Sequence, residues 1–145
     1  MSIPQVNIAV WKELSHEDYL AYCQLIPQLS PRTVIPSKAA LAEAIAQPHI
    51  HVIIAKTDQL VGALTLVINR LTTGINVRVE DVIVTESMRG KGLSRLLMEE
   101  AIAIAQKAGA KSINLTSNPS RIAANFLYQN LGFERYETNV YRLVL

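Results

Sequence analysis

The sequence holds a single cysteine, Cys23, in 145 residues. One cysteine excludes an internal disulfide and any cysteine-rich metal site. Cys23 lies in an apolar, helix-like stretch, which favours a buried inert thiol over a nucleophile. Long apolar runs are missing as well, since none reaches the roughly 18 residues that span a bilayer. An excess of one charge sign is missing too: 14 basic against 12 acidic residues leave a net charge of +2. That is too small to imply a nucleic-acid partner. The opening Met-Ser-Ile-Pro-Gln-Val-Asn lacks a basic region followed by an apolar run. No secretory signal and no membrane partner are therefore expected, and a cytoplasmic location is. The histidines His16, His49 and His51 have no Cys or carboxylate at ligand spacing, so no metal site is expected.

Half of the residues are apolar, enough in a chain of this length for one domain with one core over 1–145. There is no repeat, low-complexity tract or dividing linker. Residues 5–11 alternate weakly, as a first strand would. Tyr19, Leu20, Cys23 and Ile26 share one face of a helix over 16–28. Three prolines between Pro27 and Pro36 make a loop. Ser37 caps a short helix through Gln47, closed by Pro48. Residues 50–55, 60–69 and 75–84 read as three strands of a meander. Its turns fall at Thr57-Asp58 and at Thr72-Thr73-Gly74. Leu93, Leu96, Leu97, Ala101, Ile104 and Ala105 mark a helix over 93–108 that Gly109 ends. A strand follows at 111–117, then a helix from Pro119 to Gly132, then two strands or one hairpin from Phe133 to Leu145. The order β-α-α-β-β-β-α-β-α-β-β implies an α/β fold with a right-handed crossover through helix 93–108.

The chemistry concentrates at two places. Met88-Arg89-Gly90-Lys91-Gly92-Leu93-Ser94 joins a strand to a helix. Unpaired amides at a helix N-terminus, two glycines that admit close backbone approach, and two cations suit a pyrophosphate. Such a turn is often only a turn, and this one has neither the Walker nor the dinucleotide spacing. Ahead of it, Glu80-Asp81-Val82-Ile83-Val84 puts two carboxylates in an apolar strand. A carboxylate there needs a partner or a purpose, and a salt bridge with Arg78 or Arg70 is the plain alternative. Farther on, Phe126, Leu127, Leu131 and Phe133 look like core, and Tyr128 suits either a core position or a bonded hydroxyl.

In this order the pieces resemble the GNAT N-acetyltransferases. Glu80 to Val84 followed by Arg89-Gly90-Lys91-Gly92 is similar to that family's fourth strand and acetyl-CoA loop. Asn125-Phe126-Leu127-Tyr128-Gln129-Asn130-Leu131-Gly132-Phe133 is similar to its last motif. The resemblance implies a mixed, mostly antiparallel sheet of about seven strands with four helices, its fourth and fifth strands splayed around pantetheine. It implies cofactor contacts at Ile83, Val84, Arg89, Gly90, Lys91, Gly92, Leu93 and Ser94. It implies Tyr128 as the acid for the leaving thiolate and a carboxylate of the Glu80-Asp81 pair as base. Alternation along the strand sends these two to opposite faces, so only one faces an acceptor cleft. The resemblance favours Glu80, leaving Asp81 to pair with an arginine. Two positions depart from the pattern: Ser94 replaces a small Gly or Ala, and Arg121 stands where an asparagine is common. Arg121 then suits a CoA phosphate, and Asn118 or Asn125 the asparagine's part.

What the resemblance implies is an acetyl-CoA-dependent N-acetyltransferase acting on a small-molecule or peptide amine by direct attack. The alternative is a non-catalytic acyl-CoA-binding sensor on the same fold, which needs neither Tyr128 nor Glu80. A nucleotide-phosphate-binding protein of another α/β type lacks its spacings here. The loop 28–36, with Arg32, is expected to border the acceptor. The apolar ending Tyr141-Arg142-Leu143-Val144-Leu145 suits addition to a neighbouring sheet edge, so a homodimer is an expectation.

Overall fold

A computed structural model of the chain describes residues 5–145. The opening residues 1–4, part of the stretch read for a secretory signal, lie outside it. The chain forms two compact units, one up to Leu115 and one from Thr116 to Leu145.

The first unit is built on β1 (Asn7–Val10), β2 (Ile50–Lys56), β3 (Leu60–Leu71), β4 (Gly74–Val84) and β5 (Ile113–Asn114), in that spatial order. The first four are antiparallel neighbours, and β5 joins β4 in parallel. Helices α1 (His16–Leu25) and α2 (Lys38–Ile45) stand between β1 and β2, and α3 (Leu93–Lys107) makes the crossover from β4 to β5. Among the described residues five strands form, where about seven were expected.

Local chemistry accounts for the helices. Ser15 Oγ accepts from Asp18 N at 3.1 Å and starts α1. Ser37 Oγ accepts from Ala40 N at 3.1 Å and starts α2. Helix α1 stops at Leu25 because Pro27 cannot continue the ladder, and a 3-10 turn, Ile26–Gln28, follows. Gly109, at φ +84°, ends α3 where expected. Asp18, buried, meets Lys56 Nζ at 2.8 Å and ties α1 to the end of β2. Tyr19 Oη donates to Pro36 O at 2.8 Å, fixing the loop after α1 against it.

The core lies on both faces of the sheet. Leu25 of α1 and Leu41 of α2 pack with Trp11, Val52, Ile54, Leu60, Ala63 and Ile83. Ile53, between two members of that cluster, faces the other way. On α3, Leu97, Met98, Ala101 and Ala105 form the buried stripe. A side chain at Gly62 would lie 3.4 Å from Leu97 Cδ1 and 3.2 Å from the Ile83 carbonyl oxygen. The glycine lets α3 and β4 approach there.

Two features of β4 matter for function. The register passes from Thr65↔Glu80 to Ala63↔Ile83, so Leu64 alone faces both Asp81 and Val82. This is a β-bulge, and Asp81 adopts φ +52° to make it. Simple alternation, which set Glu80 and Asp81 on opposite faces, does not hold through a bulge. The second feature is the short pairing with β5, limited to Val77↔Ile113 and Arg78↔Asn114. The rest of β4, 79–84, runs on without a β5 partner, which is the expected splay.

The second unit contains α4 (Ile122–Asn130). Its predicted start at Pro119 moves to Ile122, because Asn118 and Ser120 close a turn first: Asn118 Oδ1 accepts from Ser120 N at 2.9 Å. The strands expected after Phe133 do not form, and residues 134–145 are exposed. A lone hairpin is marginal in water.

Candidate active site

In the first unit the chain runs from the β4 bulge into a basic, glycine-containing loop. Thr85 N donates to Val61 O at 2.8 Å, which keeps the end of β4 beside β3. A 3-10 turn, Glu86–Met88, follows and has no capping side chain of its own. Arg89 folds back, its Nε donating to Val84 O at 3.0 Å. Gly90 and Gly92 take φ of +75° and +82°, and Gly92 is the N-cap of α3. The helical ladder begins with Leu96 N donating to Gly92 O at 3.1 Å. The amides of Leu93, Ser94 and Arg95 precede it, so they have no partner within the helix.

This loop fits a diphosphate. A side chain added at Gly90 or Gly92 would meet nothing within 4 Å, so the backbone is open to a ligand at both. No acidic residue stands in the first turn of α3, and the 15-residue helix points its positive end at the loop. Lys91 and Arg89 are both exposed. Among the described residues Lys91 Nζ has only the weak acceptor Met88 Sδ at 3.9 Å, which leaves the charge available.

The two carboxylates of β4 separate in character. Glu80 is paired: Arg78 Nε lies 3.0 Å from its Oε1, two residues away on the same strand face. The expected arginine partner therefore falls to Glu80, not to Asp81. Partial desolvation pushes the Asp81 carboxyl above the usual carboxylate range, and the charge of Glu80 adds to the effect. Tyr22 of α1 is near enough to feel Asp81. Its hydroxyl is pushed up to about 12, by burial first and by the Asp81 charge second. The Tyr22 ring packs on Trp11 with centroids 5.4 Å apart. Nothing in the spacing of the sequence singled out Tyr22. Ile83 and Val84 are buried beside the bulge. A cavity of about 580 Å³ opens beside the turn that follows β4, lined by Gln24, Gln28, Asp58, Thr85, Ser87 and others. Neither Glu80 nor Asp81 belongs to its wall.

In the second unit, Asn125 closes the first turn of α4. Its Nδ2 donates to Asn118 O at 2.9 Å and to Arg121 O at 2.8 Å. Tyr128 is 6% exposed and meets Phe133 edge-on, centroids 6.1 Å apart. Burial raises its hydroxyl above the usual tyrosine value, and the Arg121 guanidinium pulls the other way. Of the neighbours read as core, Leu127, Leu131 and Phe133 are partly buried, whereas Phe126 is 66% exposed. Glu80, Asp81, Ile83, Val84 and the loop 89–94 thus belong to the first unit. Asn118, Arg121, Asn125 and Tyr128 belong to the second.

The sequence profile of the Acetyltransferase (GNAT) family matches residues 11–133. The chain belongs to this family. Over 76 residues it is 36% identical to the uncharacterized N-acetyltransferase YvbK of Bacillus subtilis, covering 52% of this chain and 47% of that one. The match thus spans about half the length of that curated relative. Among solved structures, an acetyltransferase of Trypanosoma brucei superposes with a TM-score of 0.80 at 24% identity, covering 97% of this chain and 100% of that one. AAC(6')-Iy, solved with the bisubstrate analog CoA-S-monomethyl-acetylneamine, gives 0.76 at 21% identity over 97% and 99%. At these identities the structures show a shared GNAT fold. Among the described residues, no three His, Cys, Asp or Glu side chains gather as metal ligands. No helix there is long and apolar enough to cross a membrane.

Proposed function

We propose that this GNAT chain transfers an acetyl group from acetyl-CoA to a primary amine by direct attack, within one catalytic domain that includes both units. The observation that carries the reading is the open loop at Gly90 and Gly92, set at the N-terminus of α3 just after the splayed end of β4. Bound acetyl-CoA would supply an activated acetyl thioester. The amides of Gly90 to Ser94 would hold its diphosphate, with Lys91 adding charge, since the Arg89 amide is already bonded to Glu86 O, and the backbone at Ile83 and Val84 would face pantetheine. In the second unit, Arg121 suits a further phosphate. Asn118 and Asn125, whose amide is committed to closing α4, shape the start of that helix.

A free primary amine with a pKa near 10.4 is only about 0.04% neutral at pH 7. A base must take its proton. Of the two carboxylates, Asp81 suits the role better, because Glu80 is engaged by Arg78 and Asp81 holds a proton more readily than an ordinary aspartate. Glu80 assists by keeping that affinity high. Tyr128 returns a proton to the departing sulfur. Its raised affinity keeps the hydroxyl protonated at neutral pH, as an acid must be. The acceptor is an amine of small-molecule or peptide type.

Isothermal titration with acetyl-CoA and a CoA-release assay across amines, amino sugars, amino acids and peptide N-termini test the reading. Gly92→Asp places bulk and negative charge on the diphosphate and should weaken binding at least tenfold, about 1.4 kcal/mol. An unchanged dissociation constant in the folded variant would remove the loop assignment. Acetyl-CoA binding with no turnover on any amine would favour a sensor.

A further inference from the structure

Gln28 ends the 3-10 turn after α1, yet its side chain is committed to the far end of β4. Its Oε1 accepts from Glu86 N at 3.0 Å, and its Nε2 donates to Thr85 Oγ1 and to Gln24 O, each at 3.3 Å. Glu86 N opens a turn that has no capping side chain of its own. Gln28 therefore provides that cap from 58 residues away. From there the bonds run forward: Met88 N donates to Thr85 O at 2.9 Å, and Arg89 N donates to Glu86 O at 3.2 Å. The next residues are Gly90 to Gly92, where neither glycine has a neighbour within 4 Å of a would-be side chain. With no packing of their own, the loop residues take their position from the two ends. Downstream the anchor is Leu93, buried to 2%. Upstream it is the Thr85–Arg89 turn.

We infer that Gln28 is a positioning residue for the diphosphate loop, holding its upstream end through Thr85 and Glu86. The inference rests on the reading of 89–94 as that loop. The carboxamide serves both bonds, whereas Glu accepts without donating and Met offers at best a weak acceptor. Because Gln28 also begins the segment leading to Pro36 and α2, the clamp ties that segment to the cofactor loop.

The test compares wild type, Gln28→Met, Gln28→Glu and Thr85→Val with two acetyl donors: acetyl-CoA, and an acetyl cysteamine thioester that lacks the diphosphate. Gln28→Met should weaken acetyl-CoA binding and raise its KM roughly fivefold to tenfold, the scale of one or two hydrogen bonds. Its kcat should stay within about twofold. With the truncated donor, KM should match wild type, because no diphosphate needs placing. Gln28→Glu, which keeps the bond from Glu86 N, should fall between. Gln28→Met combined with Thr85→Val should bind no worse than Gln28→Met alone. Equal losses with both donors would mean a structural role only and overturn the inference, as would an unchanged acetyl-CoA KM. Failure of wild type itself to bind acetyl-CoA would overturn the inference and the functional reading together. Normal wild-type binding with an unaffected Gln28→Met variant would overturn the inference alone.

Discussion

Asp81 does two things that a strand residue ordinarily does not. It takes a left-handed backbone conformation, and it sits beside a second carboxylate. Aspartate tolerates φ above zero better than most residues, and so does asparagine. Asp81→Asn therefore keeps the bulge and removes the charge. Its folded proton affinity is raised, so the protonated form is the one the fold favours. That stabilisation is present below the unfolded aspartate value, near 3.9, and is lost as pH rises through the raised folded value. Asp81→Asn should thus melt no lower than wild type at pH 7, and the gap should close on acidification. Turnover should fall on the order of 10²-fold or more, with the acidic limb of the pH–rate profile gone. A pH series of melts and rates checks both, and an unchanged acidic limb would remove Asp81 as base. Tyr128→Phe should lower kcat on the order of 10²-fold with little change in acetyl-CoA affinity. Loss of thermal stability with turnover intact would make Tyr128 a packing residue. The carboxylate pair was legible in the sequence. Its division was not, because a bulge depends on the register with β3 and leaves no mark in spacing.

At the scale of elements, legibility followed how local the cause is. Ser37 and Gly109 mark α2 and α3 correctly because a cap and a left-handed stop are made within a few residues. The three strands of the meander were placed within two residues at each end, since their turns are short and polar. Strand β5 shrank from 111–117 to Ile113–Asn114, because parallel pairing is decided by β4 and not by the segment itself. The tail after Phe133 was over-read for the same reason: an apolar ending is compatible with a strand, but whether one forms depends on a partner edge. Helix α3 carries both the loop and a buried stripe, so its seating bears on the site. Leu97 is fully buried against the sheet near Gly62. Leu97→Ala should cost about 2–5 kcal/mol in urea unfolding. A cost below 1 kcal/mol would mean that α3 is held by something other than this contact.

For the whole molecule the open issue is cooperativity between the two units, and the chain carries a convenient probe for it. Its single tryptophan, Trp11, is buried in the core of the first unit, whereas far-UV circular dichroism also reports α4 in the second. One catalytic domain requires both signals to melt together. Ligand linkage sharpens the test, because a ligand that binds only the folded state stabilises it by RT ln(1 + [L]/Kd), about 2.7 kcal/mol at a hundredfold excess over Kd. In a protein of this size that corresponds to a rise in Tm of roughly 5–10 °C. Acetyl-CoA should move both signals by this amount, ATP or NAD at equal concentration should not, and Gly92→Asp, binding at least tenfold more weakly, should cut the shift to about half or less. A shift in the tryptophan transition without a matching shift in the circular dichroism would mean that the second unit unfolds independently of the cofactor loop. Tyr128 and Arg121 would then lose their assigned part in acetyl transfer, while the loop at Gly90 and Gly92 would keep its own.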